Sequence, residues 1–303
     1  SRDTTNYRIN RLKEQGVIES FYPRINYSKL GYNIYHIFIL ADEGKDYKKL
    51  IEHLKKHDNA LLLFEYSDSW DFEVIMLTRN IKDLDNILNK VQSEFSDTII
   101  DLVQTLEIET YHSIIFSHHF NKKSHNTSNK EISEEVYKLD ENDIKILKAL
   151  THDSRKSTYE IAKEVSLNAD TIGLRIKKML KEGLITKFTI APNLSMLKYK
   201  WYTYNISLRK FDSFHEKRFR SFIENHPGII RSAKTFGEWE IILYIIAKNQ
   251  RDFHKLTKEI KLEFSDIIKS YETLISYNFH VSQSSVLLLI FFNEKLIGFL
   301  NAI

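Results

Sequence analysis

The chain has no cysteine among its 303 residues, and only 3 prolines and 8 glycines. Without cysteine there is no disulfide and no thiolate metal site, and the composition fits a reducing cytosol. Scarce proline and glycine predict long regular elements, because these residues are the usual interrupters. An excess of one charge is also missing: 44 Lys and Arg stand against 41 Asp and Glu, a net +3. That excludes a global polycation and leaves room for a local basic face. No signal peptide opens the sequence. It begins at Ser1 rather than methionine, so the true start is expected upstream. The most apolar stretch, VLLLIFFNEKLIGFLNAI (286–303), is split by Asn293, Glu294 and Lys295. Neither half reaches the roughly 20 residues that span a bilayer. It reads as a buried or partner-facing helix, in a cytoplasmic protein with no membrane partner. No Gly-rich phosphate loop or metal-ligand cluster is visible, so no cofactor, metal or catalytic residue is expected. What is present is an ordinary globular balance, 42% hydrophobic and 28% charged, in a length that allows two or more domains.

The chain repeats itself. EFSD occurs at 94–97 and again at 263–266, so residue 94 falls on residue 263, an offset of 169. At that offset Trp70 falls on Trp239, Asp71 on Glu240, Asn80 on Asn249, Asp83 on Asp252 and His57 on His226. Further upstream the register is 167: Asp3 falls on Asp170, Thr4 on Thr171, Arg8 on Arg175, Gly16 on Gly183 and Asn26 on Asn193. One short insertion in the second copy, near Lys210–Ser213, reconciles the two registers. A repeat of this length is a duplication of whole structural units. The segment between the copies (117–135) is polar and reads as a flexible linker. Its His118, His119 and His125 are assigned to that linker, since nothing there fixes ligand geometry.

Each copy parses alike. KWYTYNISL (200–208) alternates, with Tyr202, Tyr204, Ile206 and Leu208 on one face. That pattern is a half-buried strand. Residues 213–225 place Phe219, Phe222 and Ile223 on one helical stripe. Two apolar strand runs follow at 229–236 and 239–247, then a helix at 250–264 and a strand near 268–280. The order strand-helix-strand-strand-helix-strand recurs from Tyr32 to Tyr111. The expected class is α+β, a ferredoxin-like split βαβ (βαββαβ) plan with two helices on one sheet face. The other face needs cover, from the second copy or from another chain.

Residues 139–190 differ in kind. LDENDIKILKALTHDSR predicts a helix with Ile144, Leu147 and Leu150 inward. STYEIAKEVSL predicts a second, with Ser157 and Glu160 at capping-box spacing. NADTIGLRIKKMLKEGLI predicts a third, capped by Asn168 and ended by Gly183, with Ile172, Ile176, Met179 and Leu180 inward. ITKFTIAPN reads as a β wing. Three short helices and a wing make a winged helix-turn-helix, whose third helix enters the DNA major groove. Its outward residues are Asp170, Thr171, Gly173, Leu174, Arg175, Lys177, Lys178 and Lys181.

With these phrases the chain resembles the Lrp/AsnC (feast/famine) transcription regulators. The resemblance covers 139–281, and 2–111 as a second copy without its first two helices. It implies double-stranded DNA as the partner, dimerisation through the sheet domain, and an amino acid or related effector near a G-x-[YW]-[DE] turn. Carried onto this chain, Thr171, Arg175, Lys177 and Lys178 match DNA-facing positions, with Asn168, Gly173, Leu174 and the wing residue Lys187 completing the set. Gly237, Glu238, Trp239 and Glu240 match the effector turn, and Asp68, Ser69, Trp70 and Asp71 are its counterpart in the first copy. Gly173 and Leu174 depart from the family's polar or basic residues, and the first-copy turn lacks its glycine.

In the first copy, 1–21 is a recognition helix and wing without the two helices that should bury Ile9, Leu12 and Val17. Roughly thirty residues are therefore expected before Ser1. With them, Thr4, Asn6, Tyr7, Arg8 and Arg11 become DNA contacts. The expected organisation is a partial winged helix (1–26), a first sheet domain (30–113), a linker (114–137), a winged helix (138–196), a second sheet domain (198–282) and an apolar tail (283–303). The leading function is a DNA-binding regulator, an intramolecular pseudo-dimer and homo-oligomer, rather than an enzyme. Two alternatives stand beside it. One is a siroheme-decarboxylase-like enzyme on the same scaffold, which would need a basic, histidine-bearing pocket; His36, His215 and His226 are scattered in sequence. The other is an effector-binding or assembly module that has lost DNA binding.

Overall fold

A computed structural model describes residues 1–44, 46–113 and 135–281. The apolar tail and the three linker histidines lie outside the described residues. Along the chain run α1 (Arg2–Glu14), β1 (Ile18–Ile25), a 3-10 turn (Tyr27–Leu30), β2 (Asn33–Ala41), α2 (Tyr47–Lys56), β3 (Ala60–Tyr66), β4 (Phe72–Thr78), α3 (Ile81–Glu94) and β5 (Ile99–Ser113). Then come α4 (Glu141–His152), α5 (Thr158–Val165), α6 (Ala169–Lys181), β6 (Ile185–Pro192), β7 (Lys200–Leu208), α7 (Ser213–Asn225), β8 (Ile229–Phe236), β9 (Ile241–Ala247), α8 (Gln250–Glu263) and β10 (Ile268–Val281). These elements form two compact units.

The larger unit joins the two sheet domains. Each copy builds a four-stranded antiparallel sheet, β3-β4-β2-β5 in the first and β8-β9-β7-β10 in the second. The sheets meet at two antiparallel seams, β5 with β8 and β10 with β3, and so close an eight-stranded barrel. Closure removes every sheet edge. The face left open by sequence reasoning is thus covered by the other copy. Outside the barrel, Leu50, Leu54, Leu84, Leu88 and Val91 from α2 and α3 bury against Ile37, Ile39, Val74 and Met76. In the second copy Phe219, Ile223, Phe253, Leu256 and Ile260 do the same against Tyr202, Tyr204, Leu243 and Ile245. The same caps recur: Asn80 accepts from the Asp83 amide, and Asn249 from the Asp252 amide.

The EFSD corners are also alike. Phe95 and Phe264 follow the last residue of α3 and α8, and their amides bond to Val91 and Ile260. Their rings are buried while the Ser and Asp that follow are exposed. The helix ends there because its apolar stripe ends and the next side chains compete for backbone groups.

The smaller unit is the winged helix together with the first-copy fragment. Asp140 and Asp143 form a capping box on α4, and Ser157 and Glu160 one on α5. Asn168 caps α6 by accepting from the Asp170 amide. Gly183 takes the left-handed φ of 77° that ends this helix. Ile146, Leu147, Ile161, Ile172, Met179 and Leu184 form the core. Leu180, expected inward, is instead 39% exposed, about a quarter of a turn away from the Ile172–Met179 stripe. The two wings pair antiparallel, Ile18 opposite Pro192 and Ile25 opposite Ile185. This ribbon buries Ile18 and Phe21 of the fragment.

Candidate nucleic-acid interface

The third helix of the winged motif presents one clear face. Thr171, Leu174, Lys177, Lys178 and Lys181 are exposed, and Asn168 at the cap is exposed too. Ile172 and Met179 anchor the opposite side in the core. The amino end adds free amide donors and the positive end of the helix dipole, an arrangement that favours phosphate. Gly173 is half-buried; a Cβ there would lie 3.8 Å from the Thr158 methyl, an ordinary contact. Lys178 rests its ammonium 5.3 Å from the Tyr137 ring centre.

Two residues assigned to DNA from the sequence are placed otherwise. Arg175 turns back to α4, its Nη1 donating to Asp140 (2.6 Å) and Asp143 (2.8 Å). Asp143 also accepts from the Tyr137 hydroxyl at 3.2 Å. For Asp140, burial pushes the carboxyl up, but hydrogen bonds from the Asp143 amide and Arg175 outweigh it and hold it below its ordinary value. Lys187 is half-buried on the wing opposite Arg24. Burial, then the Arg24 charge, lowers its pKa.

The fragment's helix α1 offers a second face. Thr4, Tyr7, Arg8 and Arg11 are exposed, Tyr7 at 67%. Asn6 is half-buried and accepts from Arg155 Nη2 at 3.0 Å. Arg155 reaches Asn10 at 3.5 Å, and Lys13 bonds Asp153 at 3.4 Å. The loop between α4 and α5 of the second copy therefore holds α1. Ile9 and Val17 are half-buried, while Leu12 stays 39% exposed.

The two turns assigned to an effector lie on the barrel seams. Gly237 has φ 150°, and a Cβ there would come within 2.8 Å of the Gln104 carbonyl on β5. Only glycine suits that close approach. In the first copy Asp68, with no glycine, instead accepts the Ile275 amide of β10 at 2.6 Å. Ser69 and the Trp70 indole both donate to Glu272, at 2.5 and 3.2 Å. Asp71 and Glu240 play equal roles, accepting from Ala41 and Leu208 at the ends of β2 and β7, each at 2.8 Å. Trp70 and Trp239 are buried, edge to face at 6.5 Å, and both meet Phe38. The exposed rim of the second-copy turn is Phe236, Gly237 and Glu238.

Sequence reasoning missed the polar interior of the barrel. His36 is buried between Glu73 (2.8 Å) and Glu107 (3.1 Å). Tyr66 and Tyr244 donate to Glu73, and Arg231 to Glu107. A signal existed for Glu73: FEVIML carries one charge on an otherwise apolar strand. His215 and His226 lie elsewhere, paired with Asp212 and Glu259. Among the described residues no group of acidic or histidine side chains fits a metal ion, and no helix is long and apolar enough to cross a membrane.

Known proteins align with this architecture. The AsnC-type helix-turn-helix domain is matched over residues 139–180. The HTH-type transcriptional regulator FL11 of Pyrococcus horikoshii is 30% identical over 116 residues, 38% of this chain and 76% of its own. The regulatory protein AsnC of Haemophilus influenzae is 28% identical over 141 residues, 46% of this chain and 93% of its own. A crystal structure of the siroheme decarboxylase NirDL with an iron-uroporphyrin III analogue shares the fold over 99% of this chain and 90% of that one, with a TM-score of 0.67 at 11% identity.

Proposed function

The chain belongs to the Lrp/AsnC family, and from that premise we propose that it is a sequence-specific DNA-binding transcription regulator with two unlike readers. The observation that carries this reading is the exposed face of α6, with Thr171, Leu174, Lys177 and Lys178 together on a capped, core-anchored helix. Side chains at such a position reach base edges, and lysines neutralise phosphate. Leu174 offers no hydrogen bond, so its readout is apolar contact, as with a thymine methyl. On α1 the corresponding face carries Thr4, Tyr7, Arg8 and Arg11. Different side chains on the two helices favour an asymmetric bipartite operator, and DNA as partner favours a cytoplasmic site of action. Homo-oligomers would array several such pairs. Selection from random duplexes by the complete chain, at defined salt, tests this: an enriched bipartite site is expected, and no enrichment would sink the reading.

An amino acid or related small effector is the second part of the proposal. Trp70 and Trp239 are engaged with each other, so the exposed rim at Phe236, Gly237 and Glu238 is the part of the turn that a ligand would meet. Repeating the selection with each amino acid reads this directly as a shift in affinity.

The fold shared with a siroheme decarboxylase raises an enzymatic reading. The barrel argues against it here. The buried histidine His36 is already bonded to Glu73 and Glu107, and the nearby Arg231 to Glu107, so neither basic group is left for the carboxylates of a tetrapyrrole. Incubation with such a tetrapyrrole is expected to leave no bound absorption band.

A further inference from the structure

The barrel's interior charges are divided unequally between the copies. The first contributes His36, Glu73 and Glu107; the second contributes Arg231 with the hydroxyls of Tyr244 and Thr203. The duplication shows what stands at each matching position. Glu107 matches Ser276, Arg231 matches Leu62, Glu73 matches Ile242, Tyr244 matches Ile75 and His36 matches Thr203. The backbone register is nevertheless the same over the first part of each seam, from Glu107 to Thr110 and from Ser276 to Phe279. Glu107 stands opposite Thr235 on one seam, and the matching Ser276 stands opposite Tyr66 on the other. The two copies therefore share the register at this part of the seam and differ in the charges set on it.

We infer that these charges make the two sheet domains recognise each other and reject self-pairing, so that the partner of each domain is the unlike copy. A pair of first copies would set Glu107 against Leu62 at both seams, keeping His36 of its own copy but losing the guanidinium, and would leave Glu73 without Tyr244. It would also bring Glu65, which here accepts from Asn278 at 2.9 Å, against Glu109. A pair of second copies would set Arg231 against Ser276 twice. Buried charge without a partner is strongly destabilising. In the native pairing the account balances, with two carboxylates facing one imidazole and one guanidinium. Burial works against charge on His36, and the two carboxylates outweigh it and raise its pKa. Burial likewise pushes Glu107 up, and Arg231 and His36 overcome this and hold it far below its ordinary value. A second bond on the same seam, Arg220 bidentate to Glu109 at 2.9 Å, repeats the asymmetry, since Arg220 matches Ile51 and Glu109 matches Asn278.

The test gives each position the residue its own duplicate carries, in the complete chain. Glu107→Ser and Arg231→Leu are each expected to lower the melting midpoint by about 6 °C or more. The double variant is expected to recover to within about 2 °C of the parent, because the unpaired charge is gone. If neither single variant folds, a double variant melting near the parent reads the same coupling. Co-refolding the two single variants is expected to bring the melting midpoint back to within about 2 °C of the parent, since reciprocal pairing restores every partner. Losses that simply add in the double variant, or single variants as stable as the parent, would overturn the inference.

Discussion

Arg175 shows how a residue can sit in the right helix and face the wrong way for its expected role. Its position on α6 marks it as a DNA contact, yet its guanidinium closes on Asp140 and Asp143 across the helix-helix junction. Spacing within one helix reveals a face; it does not reveal that an acidic capping box on another helix is within reach. Arg175→Ala leaves buried Asp143 short of a donor, so a stability loss of roughly 1–3 kcal/mol is expected, nearer the low end because the arginine side chain is 27% exposed. The pH dependence has a definite sign. Asp140 is depressed in the folded state, so its contribution is present above the ordinary aspartate range and is lost as pH falls through the lowered value. Melting of the parent should therefore weaken on acidification more steeply than melting of the Arg175→Ala variant. Gly173 is the converse case, a glycine inside a helix that no close contact requires. A Cβ meets only an ordinary 3.8 Å contact, so Gly173→Ala should stabilise by about 0.5–1 kcal/mol in thermal melts.

The elements were largely legible because the duplication states each of them twice. Asn80 and Asn249 cap equivalent helices, and Phe95 and Phe264 end them, so one copy's pattern corrects the other's. Phe264 is fully buried and meets Phe219 at 4.8 Å and Phe222 at 5.3 Å. Phe264→Ala should cost about 3–5 kcal/mol, read as a drop in denaturant midpoint. Barrel closure was not legible. It depends on β10 meeting β3 and β5 meeting β8, and sequence periodicity says which face of a strand is apolar, not which distant strand it joins. The polar interior was hidden for the same reason: Glu107 and Arg231 are 124 residues apart and look like ordinary surface charges until the seam brings them together.

At the scale of the whole molecule, a net charge of +3 cannot drive DNA affinity by itself, so the electrostatic contribution must be local. On the proposed reading the lysines on α6 supply it, and they are separable from the arginines on α1. Lys177→Ala with Lys178→Ala should lower affinity for all sequences and reduce the magnitude of the salt slope by about 2, roughly 0.9 for each lost phosphate contact. Arg8 and Arg11 make a sharper test of two unlike readers. Both are exposed on α1, which the second copy holds through Arg155 and Asp153, so removing them leaves the anchoring contacts in place. If α1 reads its own half-site, Arg8→Ala with Arg11→Ala should relax sequence preference in one half of the operator and leave the half read by α6 unchanged. Selection of bound duplexes by the variant measures this directly. Equal relaxation of both halves would mean that one reader serves both, and no change at all would remove α1 from the interface.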